Sequence, residues 1–185
     1  ELVHAASLAV DDLPAFDASL RRRGRPSLYV VHGEATAILV AHALIAAAFG
    51  ELLTMPGPAG VRVDAAAALA GIMDGRGMPW GQITATGMAA AAAKTGHLFA
   101  LAARLGALCA GGSPEAVRRA DIAGAAWGLA YQAWDDAQDG DQAPAEAALE
   151  IERALVQAER ACDDLGPRSS GLREWGIGFR RLVTL

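Results

Sequence analysis

Asparagine does not occur among the 185 residues, so the chain carries no acceptor for N-glycosylation. Aromatic residues make up only 5%, while hydrophobic residues reach 53% and are dominated by alanine. A core with so few rings has to be built from small side chains brought close together, which packed helices do well, so an all-α fold is expected. Just two cysteines are present, Cys109 and Cys162, too far apart for any zinc-ligand spacing, and both are expected to be buried small hydrophobes. A net charge of −5 with no basic stripe argues against a nucleic-acid partner. No charged leader followed by an apolar stretch opens the sequence, and no charge-free apolar run approaches ~20 residues. The expectation is therefore a cytoplasmic protein with no stable membrane insertion. Its length suits one domain, residues 1–185.

Acids and arginines are concentrated instead. Asp11-Asp12-Leu13-Pro14-Ala15-Phe16-Asp17 is followed by Arg21, Arg22, Arg23 and Arg25, three carboxylates and four guanidiniums within 15 residues. Leu2, Val3, Ala6 and Val10 have helical spacing, so Asp11 and Asp12 fall on the last turn of a helix that Pro14 helps to end, and Asp17 folds back from the loop. Carboxylate oxygens suit a hard cation such as Mg²⁺, which keeps positions for phosphate oxygens. Arginine forks grip phosphate directly. A solvated helix end would also read as an acidic pair beside a basic run.

A second cluster weighs against that blander alternative. Asp135-Asp136-Ala137-Gln138-Asp139 closes the apolar run 125–134, and on a helix Asp135 and Asp139 lie one turn apart on one face. Carboxylates at a helix C-terminus oppose its dipole, so a compensating cation is expected there.

The remaining segments read as helices. Residues 34–53 are apolar all round and are expected to form a buried central helix, with His42 packed in the core or lining a cavity. Further helices are expected over 61–72, up to about Ala110, and from Ser113, an N-cap with Pro114 at the first helical position. Residues 146–164 alternate in charge like a solvated outer wall, and Trp175, Ile177, Phe179, Leu182 and Val183 mark a terminal helix that docks back. Lys94, the sole lysine, sits among alanines and leucines, where a point charge needs an anion.

These motifs carry a family resemblance. The opening run through Asp17, Arg22-Arg23-Gly24-Arg25-Pro26 and Gly33-Glu34-Ala35 resembles the first aspartate-rich region of the trans-isoprenyl diphosphate synthases, the polyprenyl synthetase family. Tyr131-Gln132-Ala133-Trp134-Asp135-Asp136 is similar to the second region, and Lys94-Thr95-Gly96 to the segment between them. Bacterial carotenoid-pathway geranylgeranyl diphosphate synthases look nearest. The resemblance runs to about Asp141 and implies an isoprenoid-synthase helical bundle around a central cavity.

It also implies prenyl transfer from an allylic diphosphate to isopentenyl diphosphate, by a homodimer using about three Mg²⁺ ions, with Mn²⁺ as a substitute. On that footing Asp11, Asp12, Asp17, Asp135, Asp136 and Asp139 bind metal, and Arg22 and Lys94 hold the allylic diphosphate. Arg23 helps to hold isopentenyl diphosphate, and Thr95, Gln132 and Gln82 line the reacting centre. Ala6 and Ser7, five and four positions before Asp11, form the floor that sets product length; both are small, implying geranylgeranyl diphosphate. The chain departs from the pattern at His42 and Ala85, where relatives commonly carry aspartate. It begins inside a helical pattern and looks shortened near 83–93 and 141–145, as if N-terminal helices and loops were missing. Two other functions are weighed: a non-catalytic regulatory subunit, and a terpene cyclase, for which the aromatics are few.

Overall fold

The computed structural model describes residues 1–74, 95–165 and 169–183. Apart from one two-stranded hairpin, every regular element among them is a helix, as an alanine-rich composition dictates. The chain divides into two compact units, Glu1–Pro58 and Ala59–Leu185.

In the first unit, α1 (Leu2–Asp11) packs against α3 (Glu34–Thr54). Ala6, Ala9 and Ala41 form the centre of that contact, flanked by Val10, Leu28, Leu44 and Ile45. Methyl groups at the centre let the two helices approach closely. Between them lie β1 (Arg21–Arg22), β2 (Arg25–Pro26) and the short helix α2 (Leu28–His32). The strands pair Arg22 with Arg25 across the two-residue turn Arg23-Gly24. Both turn residues have positive φ, +50° at Arg23 and +77° at Gly24, the signature of a type I′ hairpin.

Helix α3 differs from its expectation as a buried central element. Only Ala37, Ala41 and Ala48 are buried, while Ile38, Leu39 and Leu53 are exposed. The reason is geometric: α1 covers one stripe of α3, and the five-residue α2 adds little more. His42 is exposed too, its Nδ1 2.8 Å from the Ile38 carbonyl oxygen, so it is not a core histidine. By length and composition alone α3 could cross a bilayer, a test that a soluble core helix also meets. The count of charge-free residues missed it because Glu34 and Glu51 stand near its two ends.

The second unit contains α4 (Ala59–Met73), α5 (His97–Cys109), α6 (Pro114–Asp139), α7 (Pro144–Asp163) and α8 (Ser170–Val183). Helix α6 is its axis, packed on α5 and α7 and touched by α8. Ser113 caps α6 as expected, its hydroxyl accepting from the Ala116 amide at 3.2 Å, with Pro114 in the first turn. Gly140 at φ +81° ends it, and the amides of Asp141 and Gln142 turn back onto the Asp136 carbonyl at 2.8 and 3.2 Å.

Helix α7 is amphipathic, and its apolar face does more than form an outer wall. Ile151, Leu155, Ala158 and Cys162 join Trp127 and Ala130 of α6 in one core. Helix α8 docks there through Phe179 and Val183, whereas Ile177 and Leu182 stay exposed. Six of the few aromatics, Phe99, Trp127, Tyr131, Trp134, Trp175 and Phe179, meet in a continuous cluster, with Trp175 stacked on Phe179 at 4.9 Å. Cys162 is buried, which pushes its thiol pKa up, but Cys109 is exposed, contrary to expectation.

Candidate active site

Helix α1 ends where the first acid pair begins. Asp11 is its last residue and Asp12 its C-cap, and both side chains are buried. The loop after Pro14 turns back as expected: the Asp17 amide donates to the Asp11 carbonyl at 3.0 Å and the Ser19 amide to the Asp12 carbonyl at 3.1 Å. Asp17 itself is exposed.

The hairpin then delivers Arg22. Its Nε and a terminal nitrogen both donate to Asp12 Oδ1 at 2.8 Å, joining a carboxylate only 4% exposed to a guanidinium 35% exposed. The hydrogen bond to Asp12 raises the Arg22 pKa, with the charges of Asp12, Asp11 and Asp17 adding to it against partial burial. Arg22 is therefore fixed as a cation at the helix end. Arg23, one residue on, is exposed in the turn.

In the second unit α5 is preceded by a π-helical turn at Thr95 and Gly96. The Thr95 hydroxyl donates to Gln132 Oε1 at 2.5 Å, and Gln132 Nε2 donates to Asp136 Oδ1 at 2.7 Å. This relay fixes the glutamine amide and one carboxylate together. Close backbone contact permits it. A Cβ on Gly128 would stand 2.6 Å from Gly96 Cα, and one on Gly124 2.5 Å from the Phe99 carbonyl oxygen. Two glycines one turn apart on α6 thus let the Thr95 segment lie directly against it. Asp135, Asp136 and Asp139 fall in the last turns of α6, all on the helix as the sequence implied.

No basic residue lies in the last turn of α1 or of α6. Carboxylates sit at the negative pole of each helix dipole, which calls for cations. The donor set is oxygen only and suits Mg²⁺. Among the described residues, however, no three His, Cys, Asp or Glu side chains converge on one point. Asp12 is turned to Arg22 and Asp136 is bonded by Gln132, while Asp17 is exposed. Lys94 and Gln82 lie outside the described residues.

Ala6 and Ser7 take different positions on α1. Ala6 is buried against α3, whereas Ser7 is half-buried, its hydroxyl bonded to the His4 carbonyl oxygen at 2.9 Å. The sequence reading missed the hairpin that carries Arg22, since Arg-Gly is an unusual pair for a type I′ turn. It also missed the glycine contacts beneath Thr95, for which the spacing Gly124-x-x-x-Gly128 is the available signal.

An all-α fold with acids at two helix C-termini, one joined by a fixed arginine and the other by a threonine–glutamine relay, defines the helical class of isoprenoid synthases. The chain belongs to the polyprenyl synthetase family, whose model matches residues 1–148. It is 32% identical to a probable farnesyl diphosphate synthase of Sinorhizobium fredii, over 94% of this chain and 64% of that protein. It is 34% identical to a geranylgeranyl diphosphate synthase of Cereibacter sphaeroides, over 96% of this chain and 60% of that protein. This chain thus spans less than two thirds of the length of these curated relatives. Among solved structures it resembles an FPP/GFPP synthase from Zymomonas mobilis, with a TM-score of 0.86 and 26% identity, covering 99% of this chain and 73% of that one.

Proposed function

We propose that the chain is a trans-prenyltransferase that condenses an allylic diphosphate with isopentenyl diphosphate, its two units acting as one synthase domain in the cytoplasm. The observation that carries this reading is the placing of Asp11, Asp12, Asp135, Asp136 and Asp139 at the C-terminal ends of two helices whose last turns contain no base.

Those acids, with Asp17, would hold Mg²⁺, for which Mn²⁺ is a substitute. When bound, the metal supplies charge neutralisation for a departing diphosphate. The Arg22 fork, already fixed by Asp12, grips an allylic diphosphate together with Lys94. Arg23, exposed beside it, contacts the diphosphate of isopentenyl diphosphate. As the allylic C–O bond breaks, its electron pair leaves on the diphosphate. The double bond of isopentenyl diphosphate attacks the allylic carbon, and a proton lost from the new chain passes to the diphosphate. Thr95 and Gln132 present oxygen atoms to the developing positive charge, and Gln82 belongs with them. Alanine-rich helix faces exclude the water that would quench the cation.

The small side chains of Ala6 and Ser7 favour a product longer than farnesyl diphosphate, geranylgeranyl diphosphate in this reading. In assays with geranyl diphosphate plus isopentenyl diphosphate, product is expected only with Mg²⁺ or Mn²⁺. Asp135→Ala is expected to lower turnover by at least ~100-fold, since an electrostatic group at the reacting centre is removed. Near-normal turnover in that variant would overturn the assignment of the second cluster.

A further inference from the structure

A second cationic site lies in the Ala59–Leu185 unit. Between α6 and α7 runs a groove of about 410 Å³ whose lining includes Arg119, Arg153, Arg160 and one carboxylate, Asp164. Arg119 is already committed: it donates to Glu115 at 2.7 Å and to Asp164 at 2.6 Å. Arg153 and Arg160 are exposed and make no ion pair among the described residues.

The reason lies in how α7 sorts its charges. Glu152, Glu159 and Asp163 form one stripe, and α8 neutralises it: Arg180 bonds Glu152 and Glu159, and Arg173 pairs with Asp163. Arg153, Gln157 and Arg160 form another stripe, about 100° further round a helix of 3.6 residues per turn. The acids around Arg160 in sequence, Glu159, Asp163 and Asp164, are thus taken by Arg180, Arg173 and Arg119. Two uncompensated guanidiniums remain, two helical turns apart, with the Gln157 amide between them. Ile122 and Val156 form apolar walls that displace water and strengthen any charge interaction in the groove.

We propose that this groove binds a phosphate-bearing anion, with Arg153 and Arg160 converging on it from either side of Gln157. Guanidinium forks match phosphate oxygens two at a time, and a diphosphate offers enough of them to occupy both. The proposal does not depend on the prenyl-transfer reading, because it concerns a surface that contains none of the proposed metal ligands. The shared chemistry fits either a free diphosphate or a lipid headgroup.

The test is titration calorimetry with inorganic pyrophosphate in excess chelator, alongside flotation with phosphatidylglycerol vesicles. Each is applied to the 185-residue chain, to the double variant Arg153→Gln/Arg160→Gln, and to Arg181→Gln as an exposed control on α8. Calorimetric binding weakened at least tenfold in the double variant but unchanged in the control assigns a free phosphate ligand. Vesicle binding lost in the double variant alone assigns a lipid headgroup. Lysine at both positions is expected to recover part of either signal, which separates lost charge from lost fold. Binding equal in all variants, or none by the unaltered chain up to millimolar pyrophosphate and with vesicles, overturns the proposal.

Discussion

Ala6 and Ser7 are adjacent in sequence yet answer differently to enlargement. Ala6 meets Ala41 of α3 in a contact made of methyl groups, so an aromatic ring there has to push two helices apart. Overpacking of that kind costs about 1–3 kcal/mol. Ser7 lies a third of a turn round and is only half-buried, so a ring at this position can extend without opening the α1–α3 contact. Ser7→Phe is therefore expected to shorten the main product toward farnesyl diphosphate with little loss of stability, while Ala6→Phe lowers the denaturation midpoint as well. Chromatography of the dephosphorylated products is the measurement, and an unaltered product distribution in Ser7→Phe would remove Ser7 from the floor. Arg22 shows what residue-level reading can and cannot do. The family resemblance is what pointed it to a diphosphate, but its tie to Asp12 depends on a turn that holds Arg23 at a left-handed φ of +50°.

At the level of elements, what was legible in the sequence is what short-range chemistry decides. The Ser113-Pro114 cap, the aspartates closing α1 and α6, and the return of Asp17 onto α1 all follow from neighbours within a few residues. Burial of α3 was not legible, because apolarity records what a helix tolerates and not what the chain supplies to cover it. Nor was the aromatic cluster, whose members come from three helices. The close seating of α5 on α6 rests on Gly124 and Gly128. Gly128→Ala would place a methyl group 2.6 Å from Gly96 Cα, a backbone atom that cannot rotate away. About 2 kcal/mol of destabilisation is expected, read from the denaturant midpoint, with loss of turnover as Thr95 moves from Gln132. An alanine variant as stable and active as the parent would show that the helices slide freely. The first turn of α6 offers a test by pH. Hydrogen bonds from Arg118 and then Arg119 lower the Glu115 pKa from its ordinary 4.5. A carboxyl depressed in the folded state contributes stability that is complete above the unfolded pKa and disappears as pH falls through the folded one. An NMR titration of the Glu115 carboxyl should thus have its midpoint below 4.5, and a midpoint at or above that value would mean the arginines do not hold it in solution.

For the molecule as a whole, the unanswered demand is the outer face of α3. Leu39, His42, Ala46 and Leu53 recur at helical spacing on one exposed stripe, opposite the stripe of Ala37, Ala41 and Ala48 that is buried. Fully burying a leucine from water is worth roughly 1.5–3 kcal/mol, so a stripe with Leu39 and Leu53 near its two ends, and Ile38 beside it, gives a strong drive toward a partner. A second copy of the chain is the economical cover, because two identical apolar stripes match about a two-fold axis and the small residues between the leucines allow close approach. Sedimentation at micromolar concentration is expected to show a dimer. Leu39→Glu places a carboxylate inside that largely apolar contact and should shift the species to monomer without unfolding α3, since residue 39 lies on the stripe opposite the one buried against α1. Sedimentation of the unaltered chain as a monomer throughout that range would leave the stripe without this partner, and an unchanged dimer in Leu39→Glu would place the contact on another face.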